Sequence, residues 1–110
     1  METEPTENTF TFADADTIVN FATANDMKVR GHTLVWHTSN PDWLFKDANG
    51  QQMTQPTEAN KILPRKRLEN HIKNVVTHFG DKVYAWDVVN EVIDETQPDG
   101  FSHSTWYQIL

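Results

Sequence analysis

The sequence contains no cysteine, only four glycines and five prolines, and no long uninterrupted apolar run. Without cysteine, a disulfide frame and a cysteine-based metal site are both excluded. A membrane-spanning helix would need about 20 consecutive apolar residues, so no membrane partner is expected. Basic residues are scarce, because 9 Lys and Arg stand against 16 Asp and Glu for a formal net charge of -7. Nucleic-acid binding calls for a basic face, so no nucleic-acid partner is expected either.

The remaining composition is that of an ordinary globular protein. Charged residues make up 23% of the chain and aromatic residues 11%, which argues against a disordered tail. By length alone, 110 residues correspond to about one small domain. Residues 1–7 are mostly acidic and polar, so no signal peptide is visible.

A first short helix is predicted over residues 11–25 by apolar side chains at helical spacing. The stripe consists of Ala15, Ile18, Val19 and Ala22. Asp14 is a plausible N-cap. Asn25 and Asp26 can end the helix, because both residue types tolerate a left-handed backbone.

A strand is predicted over residues 27–37, which are rich in valine, threonine, leucine and tryptophan. Such a composition is typical of a strand buried on both faces. Residues 39–55 then contain scattered polar groups and predict a long loop, with a small hairpin at Asn49-Gly50.

The clearest periodicity predicts a second helix over residues 64–79, followed by a second buried strand over residues 82–92. The helical stripe consists of Leu68, Ile72, Val75, Val76 and Phe79. Pro64 suits the first turn, where its missing N–H would be unpaired in any case. Gly80 suits the C-terminal stop.

The end of the sequence predicts a loop over residues 94–104 and a last helix from Thr105 to Leu110, capped by Ser104. The order is therefore helix, strand, loop, helix, strand, loop, helix, which indicates an α/β protein with parallel strands. Two parallel strands cannot make a sheet with both faces and both edges covered, whereas a closed (β/α)8 barrel takes roughly 250 residues. We therefore expect the chain to be part of a larger barrel.

Polar side chains stand where the second strand ends. Asn90 and Glu91 close this strand, and the carboxyl ends of parallel barrel strands are where active sites lie. A carboxylic acid in that position can protonate a leaving group. A solvated loop residue that caps the next helix is the more frequent role of an isolated glutamate, so the residue pattern leaves both interpretations open.

Two histidines and two tryptophans lie on or beside the first strand. His32 and His37 are five residues apart, which puts them on opposite faces of a strand, so they are a poor chelating pair. A metal-dependent hydrolase that uses both histidines and Glu91 is therefore a weak alternative, and His32 is equally compatible with a buried, hydrogen-bonded role. Trp36 and Trp43 flank the strand end, where they could pack in the core or stack on a sugar. A non-catalytic carbohydrate-binding domain thus stays open as an alternative.

Five segments together resemble glycoside hydrolase family 10, the endo-1,4-β-xylanases. They are VRGHTLVWH (29–37), PDWLF (41–45), RLENHI (67–72), WDVVNEV (86–92) and TWYQIL (105–110). The family fold is a (β/α)8 TIM barrel. The resemblance implies that residues 1–110 are part of the catalytic domain, with the third strand at 27–37, the fourth at 82–92 and their flanking helices.

The resemblance implies retaining hydrolysis of β-1,4-xylosidic bonds in xylan, without a cofactor or a metal. Glu91 matches the general acid/base, and Asn90 matches the residue that contacts the sugar 2-hydroxyl. His32 and Trp36 match residues that line the same sugar site, and His37 has a supporting role. No carboxylate of this chain matches the nucleophile, which we expect in the remainder of the barrel, so the chain alone is expected to be inactive.

The sequence departs from the family pattern at several positions. Ser39 and Asn40 stand where the family commonly has a glutamine that contacts substrate. The turn before the first strand reads Asn25-Asp26 instead of Asn-Gly. Pro64 falls where the family helix usually continues, so a late helix start is expected. For the whole enzyme, the resemblance implies secretion to the extracellular space.

Overall fold

Helices and strands alternate along the chain in a computed structural model that describes residues 3–38 and 40–109. The helices are α1 (Ala13–Ala24), α2 (Glu58–Phe79) and α3 (Thr105–Ile109), and the strands are β1 (Val29–Trp36) and β2 (Val83–Asn90). Short 3-10 helices cover Asp42–Phe45 and Gly80–Lys82. The predicted α/β order is confirmed, whereas the assignment of the strands as third and fourth of a barrel stays a prediction.

The two strands run parallel and pair directly with each other. Val29 is opposite Val83 at one end, and Trp36 is opposite Asn90 at the other. Between them, Gly31 lies against the indole of Trp86, where a Cβ atom would overlap the ring, so the close approach requires glycine. The parallel pairing brings the carboxyl ends of both strands to one edge of the sheet.

The main hydrophobic core joins α1, both strands and α2. Its buried members are Val19, Leu34, Val35, Val75, Phe79 and Val83. A second cluster connects the first 3-10 helix with α3 and consists of Leu44, Phe45, Met53 and Ile109. The strands are thus packed against helices, and their carboxyl ends lie beside the segment that leads to α3.

The prediction that β2 is a buried strand is wrong for this chain. Tyr84 is 64% exposed, Val88 51% and Val89 53%. The faces of a strand are buried only where another layer packs on the sheet, and within the described residues Val83 is the one fully buried member of β2. The accessible surface is 7482 Å², against about 6,200 Å² for a compact monomer of this mass. The radius of gyration is 15.7 Å, where about 13 Å is typical of this length.

Helix α2 begins at Glu58, so the predicted start near Pro64 is wrong. The Oγ1 atom of Thr57 accepts a hydrogen bond from the backbone N–H of Asn60 at 3.2 Å and caps the helix. Pro64 therefore lies inside the helix, at the cost of one backbone hydrogen bond. Its ring is fully buried, which offsets that cost. The predicted stop at Gly80 is confirmed by a left-handed φ of 53°.

Helix α1 confirms the first predicted helix, but its predicted cap is wrong. Phe12 occupies the N-cap position without a side-chain cap bond, and Asp14 lies inside the first turn. A carboxylate in the first turn still interacts favourably with the helix dipole. The predicted end is confirmed, since Asn25 is the C-cap and Asp26 adopts a left-handed φ of 55°.

Two smaller predictions of local structure are confirmed. The hairpin at Asn49-Gly50 forms between Lys46 and Gln52, which make an antiparallel bridge. The Oγ atom of Ser104 accepts a hydrogen bond from the backbone N–H of Tyr107 at 3.3 Å, as expected of an N-cap.

Residues 3–11 form a strap across α2 that the sequence analysis missed. The Oε1 atom of Glu4 lies 2.9 Å from Nδ1 of His71, and both side chains are almost fully buried. The other oxygen of Glu4 accepts a hydrogen bond from the backbone N–H of Asn8 at 3.0 Å. Glu7 accepts a hydrogen bond from Nε of Arg67 at 3.1 Å. Polar contacts thus tie this N-terminal strap to the helix that supports the strands.

Candidate active site

The carboxyl ends of β1 and β2 bring four of the predicted functional residues together. Trp36 and Asn90 are opposite each other in the parallel register. The indole Nε1 of Trp36 donates a hydrogen bond to Oε2 of Glu91 at 3.0 Å. Nε2 of His37 lies 3.8 Å from the same oxygen. An aromatic donor, an imidazole and a carboxylate therefore meet where both strands end.

Glu91 leaves the strand through a left-handed backbone conformation, with φ at 55°. Few residues other than glycine adopt this conformation, and it turns the chain out of the extended direction of β2. The Glu91 side chain is 57% exposed. Its carboxyl group can therefore reach a ligand at the sheet edge while Trp36 holds one of its oxygens.

A cavity of about 220 Å³ lies beside the strand ends. Trp36, Asn90 and Glu91 line one side, and Phe101 and Trp106 line the other. Aromatic faces next to a carboxyl and an amide group are the lining that a sugar ring needs, because such a ring has apolar C–H faces and a rim of hydroxyl groups. The loop between β2 and α3 thus forms one wall of the site.

His32 is exposed rather than buried, so the interpretation of His32 as a buried histidine is wrong. Its side chain is 55% exposed, and Nδ1 lies 3.0 Å from Oδ2 of Asp87. Arg30 donates from Nε and Nη2 to Oδ1 of the same carboxylate, at 3.0 and 2.5 Å. The hydrogen bond from His32, then that from Arg30, lowers the pKa of Asp87. The hydrogen bond to Asp87 raises the pKa of Arg30.

The loop wall is held by Asp99, which the sequence analysis did not single out. Asp99 accepts hydrogen bonds from the Tyr107 hydroxyl at 2.6 Å, from the backbone N–H of Phe101 at 3.1 Å and from Nε2 of His103 at 3.1 Å. Together these bonds lower the pKa of Asp99 to about 2, and the bond from Tyr107 is the largest cause. Residues 99–103 precede α3 and are not helical, so the helical i,i+4 rule gave no sequence signal for this pair.

Replacing Tyr107 by Phe is expected to raise the pKa of Asp99 towards its ordinary 3.8, because the largest cause of the shift is removed. The ionised carboxylate stabilises the loop above that ordinary pKa, and the contribution is lost as the pH falls through about 2. A carbon-13 NMR titration of the Asp99 carboxyl in both proteins measures the change. An unchanged midpoint in Tyr107→Phe would contradict this account of the loop.

Two of the other tryptophans are occupied in packing. Trp43 donates its Nε1–H to the carbonyl groups of Glu4 and Pro5, at 3.3 and 3.1 Å, and Arg67 lies over its ring. Trp86 packs against the main core. Trp43 is therefore a structural residue, and its predicted role as a stacking face beside the strand end is not supported by these contacts.

The remaining predicted site residues have simpler outcomes. Asn40 accepts a hydrogen bond from the indole of Trp106 at 3.3 Å and donates one to the carbonyl of His37 at 3.3 Å. Ser39 lies outside the described residues.

Within residues 3–38 and 40–109, no three His, Cys, Asp or Glu side chains are grouped so that they could hold a metal ion. In the same part of the chain, no helix is long and apolar enough to cross a membrane.

Comparison with known proteins gives a consistent result. The model of glycosyl hydrolase family 10 matches residues 1–110. Endo-1,4-beta-xylanase A of Thermotoga maritima is 52% identical over 92% of this chain and 9% of its own length. Xylanase B from Clostridium stercorarium F9 superposes with a TM-score of 0.92 at 48% identity, over 97% of this chain and 33% of that one. TsXylA from Thermoanaerobacterium saccharolyticum, described as an intracellular xylanase, gives a TM-score of 0.83 at 41% identity, over 97% and 33%. The chain therefore spans a third or less of the length of these relatives.

Proposed function

Because this chain belongs to glycosyl hydrolase family 10, we propose that it carries the general acid/base part of an active site that hydrolyses β-1,4-xylosidic bonds in xylan. Relatives that are named xylanases and are about half identical to the chain support xylan or xylo-oligosaccharides as the substrate. The proposed reaction is retaining, with Glu91 as the proton donor.

The observation that carries the proposal is the hydrogen bond from Trp36 to Glu91, since it joins the ends of both strands at 3.0 Å. Within the described residues, Trp36 and His37 both approach Oε2 of Glu91. The second oxygen, Oε1, is therefore the one that can carry a proton towards a ligand. A carboxyl group with one oxygen held and the other accessible suits proton transfer in both directions.

Three neighbours of Glu91 are proposed to bind the sugar at the point of cleavage. Asn90 precedes the acid and offers an amide for the 2-hydroxyl. His32 and Trp36 have their ring centroids 6.5 Å apart in an edge-on arrangement, so both can contact one sugar ring. His37, at 3.8 Å from Glu91, has a supporting role.

Proton transfer in the proposed reaction takes place in two steps. Glu91 first protonates the glycosidic oxygen while a second carboxylate attacks the anomeric carbon. The ionised Glu91 then takes a proton from the water that releases the sugar.

In retaining enzymes the two carboxyl groups are about 5–5.5 Å apart. Asp87 is three strand residues before Asn90, the last residue of β2, or roughly 10 Å from it along the strand, and is already bound to Arg30 and His32. The nucleophile is therefore proposed to come from another part of the barrel.

The proposed location is extracellular, as the resemblance implies. TsXylA is described as intracellular, so membership of the family leaves the location open. Fractionation of cells that express the gene, with detection of the chain in the culture medium, tests this part of the proposal.

The function is tested by replacing the matching third of xylanase B from Clostridium stercorarium F9 with this chain. The chimera is expected to hydrolyse xylan, and Glu91→Gln is expected to lower its kcat by about 10²–10⁴-fold, the usual contribution of a general acid. Glu95→Gln is the matched control, because Glu95 is an exposed carboxylate in the loop that follows.

Three results separate the outcomes of this experiment. Loss in Glu91→Gln with full activity in Glu95→Gln supports the assignment. Full activity in Glu91→Gln contradicts it. Equal loss in both variants in a folded chimera, as judged by circular dichroism, contradicts the special role of Glu91.

A further inference from the structure

The carboxylate of Asp87 is shared between two partners on β1, with one oxygen for each. Arg30 binds Oδ1 through Nε and Nη2, and His32 binds Oδ2 through Nδ1. The backbone carbonyl of Asp87 accepts a further hydrogen bond from Oγ1 of Thr33 at 2.9 Å. Two residues thereby hold the Asp87 side chain against β1, and a third holds its backbone.

The direction of every hydrogen bond in this group follows from the chemistry of its members. An arginine side chain can only donate, and an ionised carboxylate can only accept. The bonds that Asp87 accepts lower its pKa, so it is ionised at neutral pH. Nδ1 of His32 must therefore carry a hydrogen atom to make its bond. In a neutral imidazole, Nε2 is then the nitrogen with the free lone pair.

We propose that Asp87 is a positioning residue that, together with Arg30, fixes the Nδ1–H tautomer of His32 and leaves Nε2 as a hydrogen-bond acceptor for a sugar hydroxyl. The identity of the ligand rests on the proposed function, whereas the tautomer does not. Within the described residues, Nε2 of His32 has no hydrogen-bond partner, and the side chain is 55% exposed, so a ligand can reach it.

This arrangement has a consequence for what His32 can recognise. An acceptor nitrogen binds a group that donates, and an inverted tautomer would present a donor instead. His32 is edge-on to Trp36, whose indole N–H in turn reaches Glu91. The carboxylate of Asp87 thus orients the first member of a row of side chains that leads to the proposed acid. A site built around a fixed acceptor discriminates against ligands that lack the matching hydroxyl.

Replacing Asp87 by Asn distinguishes this role from that of a simple link between strands. Asparagine has the same shape but carries one acceptor and one donor group. Because Arg30 can only donate, the amide oxygen must turn towards Arg30, and the amide nitrogen then faces His32. Nδ1 of His32 must become an acceptor, so its proton moves to Nε2. In a Ser-His-Asp triad, an Asp-to-Asn change of this kind produces the wrong histidine tautomer and lowers kcat about 10⁴-fold.

The experiment is nitrogen-15 NMR of the histidine rings in the full 110-residue chain, without sugar, at about pH 9, well above the ordinary imidazole pKa of about 6.5. The wild type is expected to show the chemical shift of a protonated Nδ1 and of an unprotonated Nε2 at His32. Asp87→Asn is expected to exchange the two shifts. Asp99→Asn is the matched control, because it removes a carboxylate that faces a different histidine, His103, and should leave the His32 signals unchanged.

A second variant makes the test specific for Arg30. In Arg30→Met with Asp87→Asn, the amide is free to rotate, so the Nδ1–H fraction of His32 is expected to be larger than in Asp87→Asn alone. A wild-type ring protonated on Nε2 overturns the proposal, as does an Asp87→Asn chain with unchanged His32 shifts. If Asp87→Asn does not fold, the wild-type spectrum alone still tests the proposal, because it shows which nitrogen of His32 is protonated. Xylan plays no part in this measurement, so its failure and a failure of the Glu91 test are separate results.

Discussion

The purified 110-residue chain is expected to release no reducing sugar from xylan, although it contains the proposed proton donor. Retaining hydrolysis needs a second carboxylate about 5–5.5 Å from the acid. Two of the nearby carboxylates are already bound, and Glu95 is an exposed side chain of the loop that follows β2. Asp87 interacts with Arg30 and His32, and Asp94 accepts hydrogen bonds from the backbone and side chain of Thr96 at 3.0 and 2.6 Å.

This prediction is checked by a reducing-sugar assay with purified chain, run beside the xylanase B chimera as a positive control. We expect sugar release from the chimera and none from the isolated chain, because protonation alone does not break the glycosidic bond at a measurable rate. Sugar release by the isolated chain that disappears in Glu91→Gln would show that one of its own carboxylates acts as the nucleophile.

Replacing Glu4 by Ala is expected to lower the free energy of unfolding by about 3 kcal/mol, the cost of leaving a buried polar partner unpaired. Glu4 is 1% exposed and His71 3%, and their side chains are 2.9 Å apart. The same carboxylate also holds the backbone of Asn8. Its loss therefore weakens the attachment of the N-terminal strap to α2 and leaves the buried imidazole of His71 without this partner.

Urea unfolding followed by tryptophan fluorescence measures this change, because the indole of Trp43 is bonded to the strap at Glu4 and Pro5. Glu7→Ala is the control within the same strap. Glu7 is 39% exposed, so its pair with Arg67 should contribute less than about 1 kcal/mol. Equal losses in the two variants would contradict the special weight given to the buried pair.

Much of the secondary structure follows directly from the sequence. The stripes that end at Ala22 and Phe79 predict α1 and most of α2, and the left-handed stops at Asp26 and Gly80 are confirmed. The start of α2 was mispredicted because Pro64 was assigned to a first turn, whereas the cap at Thr57 determines the start and packing of the proline ring makes it tolerable. The preference of proline for the first turn of a helix was overridden here by burial of its ring. Burial depends on the tertiary structure and cannot be deduced from the neighbouring residues in the sequence.

The meeting of Glu91 with Trp36 could also be anticipated, since both residues end parallel strands and such ends lie side by side. The contacts of Glu4 with His71 and of Arg30 with Asp87 could not be predicted from the sequence. The two members of each pair are 67 and 57 residues apart along the chain, and the residues around one member do not indicate its partner. Periodicity predicts which face of an element is apolar, but not which polar side chains meet across two elements.

The left-handed backbone at Glu91 also affects how the chain folds. A non-glycine residue in this conformation costs about 1–2 kcal/mol relative to a right-handed one. Glycine would relax that turn but would remove the carboxyl group. The local preference of the residue and the requirement of the whole fold disagree here, which is local frustration in an otherwise consistent energy landscape. The chain keeps this frustration at the residue on which the proposed proton transfer depends.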